Sequence, residues 1–322
     1  MPSSSPLRHF TEIRDLNRSE LESILQRAQE IHRKLHALPK KTHGPLQNSA
    51  VVYLSSKESL RTQCSIEQAA TYLGGHAVSP GLRALRDETG KLREPVSDMV
   101  RCLEEQGYPL IFARLHHHDE ILEMSHAARR ASVVNALTDQ HHPLQALADA
   151  EAFLLHRPTV KKPKIVFLGD GNNVATSLGQ ISAMLGWDFV HSGSEERKIH
   201  PAQWQKILEL ADVHGGSARF LSHPEAAVEG AHFVYADEFA SMGEKEKIGE
   251  LQEKLAPYRV TSALMARAAS DALFGHCLPA ERGREVDTEV IDGPQSIVFS
   301  IAGCRTDTTA ALMEFLLEER RR

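Results

Sequence analysis

Apolar residues recur along this chain in two alternating rhythms. Short runs predict buried strands: "AVVYL" (50–54), "YPLIFA" (108–113), "SVVN" (132–135), "KIVFLG" (164–169), "DFVH" (188–191), "HFVYA" (232–236) and "ALFGHC" (272–277). Between them lie stretches with helical spacing. The first runs from about Asn17 to Leu35: Leu21, Ile24, Leu25, Ala28 and Ile31 share one face, and Asn17 with Glu20 reads as a capping box. Another places Ile66, Ala69, Ala70 and Leu73 on one face and stops at Gly74-Gly75. The last helix carries Leu312, Phe315 and Leu316 before a solvated "EERRR". Strands alternating with helices predict an α/β fold of two domains, each a parallel sheet flanked by helices. The prolines and basic residues of "HRPTVKKPK" (156–164) mark the boundary, dividing the chain into 1–157 and 158–322.

Composition narrows the classes. A chain of 322 residues can build two cores, and 41% hydrophobic with 25% charged residues is ordinary for a globular protein. A net charge of −6 without a Lys/Arg stripe argues against nucleic acid as a partner. No apolar run reaches membrane-spanning length, and "MPSSSPLRHF" lacks a signal-peptide core, so no membrane partner and a cytoplasmic location are expected. Cys64, Cys102, Cys277 and Cys304 show no CxxC spacing, which indicates neither a zinc site nor a disulfide framework. The histidines of "LHHHDE" (115–120) are consecutive and share no face, so a solvated loop or helix start is expected rather than a metal site.

In open parallel sheets, ligands bind beyond the carboxyl ends of the strands, and polar clusters follow several predicted strands here. After "AVVYL" comes "KESLRTQCSIE" (57–67), which sets Lys57, Ser59, Arg61 and Thr62 at a helix N-terminus. Orphan N–H groups, hydroxyls and a guanidinium there make an anion site suited to phosphate. The same residues also read as ordinary capping by Ser59 or Thr62 beside a solvated arginine. Arg114 ends the next strand, and "TDQHHPLQALAD" (138–149) joins a histidine to Gln145 across a proline turn. In "GDGNNVATSL" (169–178) the G-x-G-x-x-G spacing fails at Val174, whereas Asn172 and Asn173 suit an amino-acid-like ligand. Asp237 in "YADEFASMG" can hold an ammonium group, and Cys277 lies in "GHCLPAERG" at another strand end.

Taken in order, these pieces resemble the motifs of the aspartate/ornithine carbamoyltransferase family, its ornithine branch most closely. The S-T/L-R-T-R loop appears as Ser59-Leu60-Arg61-Thr62-Gln63 and H-P-x-Q as His142-Pro143-Leu144-Gln145. G-D-G-N-N, D-x-x-x-S-M-G and H-C-L-P appear at Gly169–Asn173, Asp237–Gly243 and His276–Pro279. The resemblance covers nearly the whole chain and implies a final helix that returns to the first domain. It implies that Ser59, Leu60, Arg61, Thr62 and Arg114 bind carbamoyl phosphate. His142 and Arg305 would polarise its carbonyl oxygen, and Gln145 with the Leu278 carbonyl would orient its NH2 group. Asn173, Asp237, Ser241 and Met242 would hold ornithine, with Cys277 beside the reacting amine and the carbamoyl group. The expected products are citrulline and phosphate, a step of arginine biosynthesis, with no metal or organic cofactor. The expected assembly is a homotrimer or a multiple of trimers, in which a neighbour's loop completes the phosphate site.

The sequence departs from that pattern at four places. Gln63 stands where the loop has a second arginine, "GCR" (303–305) stands for E-N-R, and "DEF" for D-V-W brings in Glu238. The 79–98 segment is also longer than expected. Three readings are open on these residues: an ornithine-branch enzyme, a carbamoyltransferase for a different amine, and a non-catalytic relative that binds ligand or a partner.

Overall fold

The computed structural model describes residues 7–35, 44–81, 85–239 and 248–320. Its contacts divide the chain into two compact units, residues 1–147 with 303–322 and residues 148–302.

The first unit is built on a four-stranded sheet of order β2-β1-β3-β4, with every neighbouring pair parallel. These strands are β1 (Ala50–Ser55), β2 (His76–Val78), β3 (Leu110–Arg114) and β4 (Ser132–Leu137). Its helices are α1 (Arg18–Leu35), α2 (Leu60–Tyr72), α3 (Val96–Glu105), α4 (His118–Ala127) and α5 (Pro143–His156), the last continuing into the second unit. Val52, Leu54, Val100, Ile111, Ile121 and Val133 form one core cluster. The capping box at α1 forms as expected: the Glu20 N–H donates to Asn17 Oδ1 at 3.0 Å, and the Asn17 N–H donates to Glu20 Oε2 at 2.8 Å. Leu21, Ile24, Leu25, Ala28 and Ile31 are the buried face of that helix.

The second unit has a five-stranded parallel sheet of order β7-β6-β5-β8-β9. The strands are β5 (Lys164–Leu168), β6 (Asp188–Ser192), β7 (Ser217–Leu221), β8 (Phe233–Ala236) and β9 (Leu273–His276). Around them lie α6 (Asn173–Met184), α7 (Pro201–His214), α8 (Pro224–Val228), α9 (Ile248–Leu255), α10 (Ser262–Met265) and α11 (Thr288–Ile291). Val166, Val190, Val234 and Phe274 anchor its core.

The final helix, α12 (Val298–Glu319), packs back on the first unit. Arg27 on α1 donates from Nε and Nη2 to the two Glu314 oxygens, at 2.5 and 3.0 Å. His32 Nδ1 lies 2.7 Å from Asp307 Oδ2, and the Arg8 guanidinium sits 5.7 Å from the centre of the Phe315 ring.

Two strands escape the apolar pattern. Both β2 and β7 are sheet edges whose residues are half-buried or exposed, so neither carries an apolar run. The opposite edges, β4 and β9, are wholly buried, and lone parallel bridges Phe10↔Val134 and Phe274↔Ser296 cover them. The "LHHHDE" expectation is half met. His118 starts α4, but it is buried, with Nδ1 3.1 Å from Thr138 Oγ1 and its ring edge-on to His141. The described part of 79–98 folds on itself through an Arg86↔Leu92 bridge and is tied to α4 by Arg86 and Glu120 at 2.6 Å. Among the described residues, no helix is long and apolar enough to cross a membrane.

Candidate active site

In the first unit the polar cluster at the start of α2 is organised by side chains from distant parts of the chain. Ser59 is the N-cap residue with an extended backbone, yet its hydroxyl makes no capping bond to the helix. It donates instead to Thr62 Oγ1 at 3.0 Å, and the same oxygen accepts from Arg305 Nη2 at 2.8 Å. Arg305 Nη1 reaches Gln145 Oε1 at 3.3 Å. Thr62, Gln145 and Arg305 are all buried, which strengthens these bonds relative to water. Of the two readings of the cluster, ordinary capping with a solvated arginine therefore fails at Ser59: the hydroxyls serve a buried guanidinium.

His142 lies buried just before α5, whose first residue, Pro143, occupies a position where a missing N–H costs nothing. Two bonds to the His142 carbonyl, from the N–H groups of Gln145 and Ala146, start the helix and fix Gln145 one turn on. Burial holds the imidazole well below its ordinary range, and the positive fields of Arg305, Arg114 and Arg61 push it further in the same direction. His142 is thus neutral at physiological pH and surrounded by three cations. Such a group donates one N–H to a carbonyl oxygen without carrying charge of its own. Gln63 stands apart. Its side chain is exposed and donates to Glu67 Oε1 at 2.8 Å along the outside of α2.

In the second unit the loop after β5 is locked by contacts with the 197–199 segment. Asp170 receives Arg197 at both oxygens, Nε at 2.8 Å and Nη2 at 2.7 Å, and the Gly171 N–H donates to the Arg197 carbonyl. A Cβ at Gly171 would lie 2.1 Å from the Ile199 nitrogen, so only glycine permits this approach. Asn172 then caps α6, its Oδ1 accepting from the Val174 and Ala175 N–H groups at 3.0 Å each. Its Nδ2 donates to Asp237 Oδ2 at 2.7 Å. The paired asparagines thus have separate surroundings: Asn172 is structural, while Asn173 opens the helix half-buried.

Asp237 follows β8, and Cys277 follows β9. The Cys277 thiol donates to Asp237 Oδ1 at 2.8 Å. Burial raises the thiol well above its ordinary range; the charge of Asp237, the bond to it, Asp149 and, last, Glu238 act in the same sense. It stays protonated at neutral pH and is no thiolate nucleophile. Glu238 itself is exposed. Leu278 has φ of +57°, and its N–H donates to His276 Nδ1 at 2.9 Å. Behind Asp237, the Tyr235 hydroxyl donates to Asp149 at 3.0 Å. Ser241 and Met242 lie outside the described residues.

The first unit therefore brings together Ser59, Thr62, Gln145 and Arg305 by hydrogen bonds, and Arg61, Arg114 and His142 by their fields. The second brings together Asp237 and Cys277. Arg197 was missed in the sequence, since a lone arginine 27 residues from Asp170 leaves no local signal.

Family models match both halves of the chain. The aspartate/ornithine carbamoyltransferase carbamoyl-P binding domain matches residues 8–154, and the Asp/Orn binding domain of the same family matches residues 161–316. The ornithine carbamoyltransferase of Chromohalobacter salexigens is 36% identical over 312 residues, covering 96% of this chain and 97% of the relative. The catabolic ornithine carbamoyltransferase of Halobacterium salinarum is 36% identical over 314 residues, covering 97% of this chain and 100% of the relative. Among solved structures, the ornithine carbamoyltransferase from Pyrococcus furiosus superposes with a TM-score of 0.88 at 33% identity, covering 96% of this chain and 97% of that one.

Proposed function

The chain belongs to the aspartate/ornithine carbamoyltransferase family, and from that premise we propose that it transfers the carbamoyl group of carbamoyl phosphate to the side-chain amine of ornithine, giving citrulline and phosphate. The observation that carries this reading is neutral His142 set among Arg61, Arg114 and Arg305, with Arg305 bonded to Thr62 and Gln145.

The first domain, 1–157, takes carbamoyl phosphate in this reading. Ser59, Leu60, Arg61, Thr62 and Arg114 receive the phosphate, where the positive end of α2 adds to the guanidinium charges. His142 and Arg305 donate to the carbonyl oxygen as it gains negative charge. Gln145, whose side-chain oxygen can accept from an amide, orients the carbamoyl NH2 group together with the Leu278 carbonyl. The second domain, 158–322, takes ornithine: Asp237 pairs with the α-ammonium group, with Asn173, Ser241 and Met242 completing the cradle. Cys277, kept as a thiol, lies beside the amine and positions it. The amine attacks as its neutral form, a C–N bond forms, the C–O bond to phosphate breaks, and the amine proton leaves with solvent or phosphate. Leu60 is exposed beside Arg61, which supports a homotrimer, or a multiple of trimers, in which a neighbouring copy covers this loop. In this reading the enzyme works in the cytoplasm, as a step of arginine biosynthesis.

The deciding experiment is citrulline formation by the purified protein from carbamoyl phosphate and ornithine. Turnover is expected, and Arg305→Ala is expected to reduce kcat/KM by a hundredfold or more, since it removes a buried donor and leaves Thr62 and Gln145 without it. Absence of citrulline, with carbamoyl phosphate still bound, would leave a non-catalytic binding protein. Turnover of another amine in preference to ornithine would move the acceptor assignment.

A further inference from the structure

Cys304 is one of the two residues, with Gly303, by which "GCR" departs from the family's E-N-R, and the transfer reaction gives it no part. It is fully buried on α12, one residue before Arg305. Asp307, one turn further and also buried, lies on the same face. Opposite them, α1 contributes His32, whose Nδ1 is 2.7 Å from Asp307 Oδ2. The thiol sulfur, a ring nitrogen of His32 and a carboxylate oxygen of Asp307 all lie within 4.8 Å of one another. All three belong to the first unit.

We propose that His32, Cys304 and Asp307 form a binding site for a transition-metal dication of the Zn2+ or Co2+ type. Imidazole nitrogen, thiolate and carboxylate are the ligands that such ions select over Mg2+ or Ca2+. A tetrahedral ion holds such ligand atoms roughly 3.3–3.6 Å apart, so closing the site from the present spacing takes side-chain shifts on the order of 1 Å. His32 is partly exposed, which provides a route from solvent, whereas Asp307 and Cys304 are held on the rigid helix. The Thr308 hydroxyl donates to the Cys304 carbonyl at 2.8 Å and steadies that turn. On binding, the Cys304 S–H bond gives way to a metal–sulfur bond and its proton leaves to solvent. His32 binds through Nδ1 as the Nε2–H tautomer. The simpler alternative is an ordinary His–Asp hydrogen bond beside a small buried cysteine, and the two differ in a spectrum.

Chelator-treated full-length protein titrated with Co2+ is expected to develop a saturable near-ultraviolet thiolate-to-cobalt charge-transfer band, displaced by Zn2+. Cys304→Ser is expected to abolish the band, and His32→Ala to weaken cobalt binding by roughly tenfold or more. Absence of saturable binding overturns the proposal. So does a band that persists unchanged in Cys304→Ser, because the sulfur then comes from another cysteine. Circular dichroism checks that each variant folds; should Cys304→Ser fail to fold, His32→Ala decides, and unaltered cobalt affinity in that variant overturns the site.

Discussion

The departure at Gln63 costs the proposed phosphate loop less than its position in the motif suggests. The side chain points along the exterior of α2 to Glu67 and takes no part in the Ser59–Thr62–Arg305 chain. Gln63→Arg is expected to keep the contact as an i,i+4 ion pair worth a few tenths of a kcal/mol and to change kcat/KM less than threefold. A larger gain that fades as salt is raised would show that a charge here acts on bound phosphate. Asp237 is the opposite case, a buried carboxylate that holds a thiol and an amide at once. Asp237→Asn removes its charge and offers an NH2 group where an acceptor stood. It is expected to raise the KM for ornithine at least tenfold and that for carbamoyl phosphate little. Equal changes in both would point to general damage.

Individual loops differ in how far the sequence discloses them. The capping box of α1 and its buried stripe could be read directly, because both are local: a helix start is written within four residues. The motif loops were legible as clusters following strands. What was not legible is the bracing between loops. Asn172 looks like a ligand residue in the sequence but caps α6 and fastens Asp237, and Arg197 sits in a short helical turn with no pattern of its own. The strands β2 and β7 were hidden for a related reason, since edge strands with half-exposed faces gain their identity from the neighbour they pair with. The bracing makes a measurable claim. Asp170 is buried, so Arg197→Ala strands a carboxylate and is expected to cost about 3–5 kcal/mol in urea unfolding. Arg197→Ala with Asp170→Ala together should cost less than the single change. If the single change costs under about 1 kcal/mol, the ion pair is only a surface contact.

For the molecule as a whole, acid is the condition under which buried histidines show. Burial lowers His191 from 6.5 to about 4, with only partial compensation from its bond to the Gly169 carbonyl, and lowers His142 as well. Above pH 6.5 both folded and unfolded chains hold these rings neutral, and stability is unaffected. As pH falls below 6.5 the unfolded chain binds protons that the folded chain refuses, so stability declines until about pH 4 for His191. At 1.36 kcal/mol per unit, that residue alone accounts for about 3 kcal/mol. His191→Phe, in a pocket already lined by Phe167 and Phe220, is expected to flatten the decline between pH 6.5 and 4 by that amount. Unfolding midpoints measured at several pH values check it; an unchanged slope would mean that the ring is reached by water.

The first unit is interrupted: residues 148–302 are spliced between its main body and the helix segment that carries Arg305. On a ribosome emitting about 5–20 residues per second, that insertion delays completion of the first unit by roughly 8–30 s. During this interval the nascent chain already holds Thr62 and Gln145 but not the guanidinium that joins them, and α1 awaits its partners for Arg27 and His32. The half made first is therefore finished last. Premature termination just after residue 302 would release a chain whose second unit is whole and whose first unit lacks its closing helix.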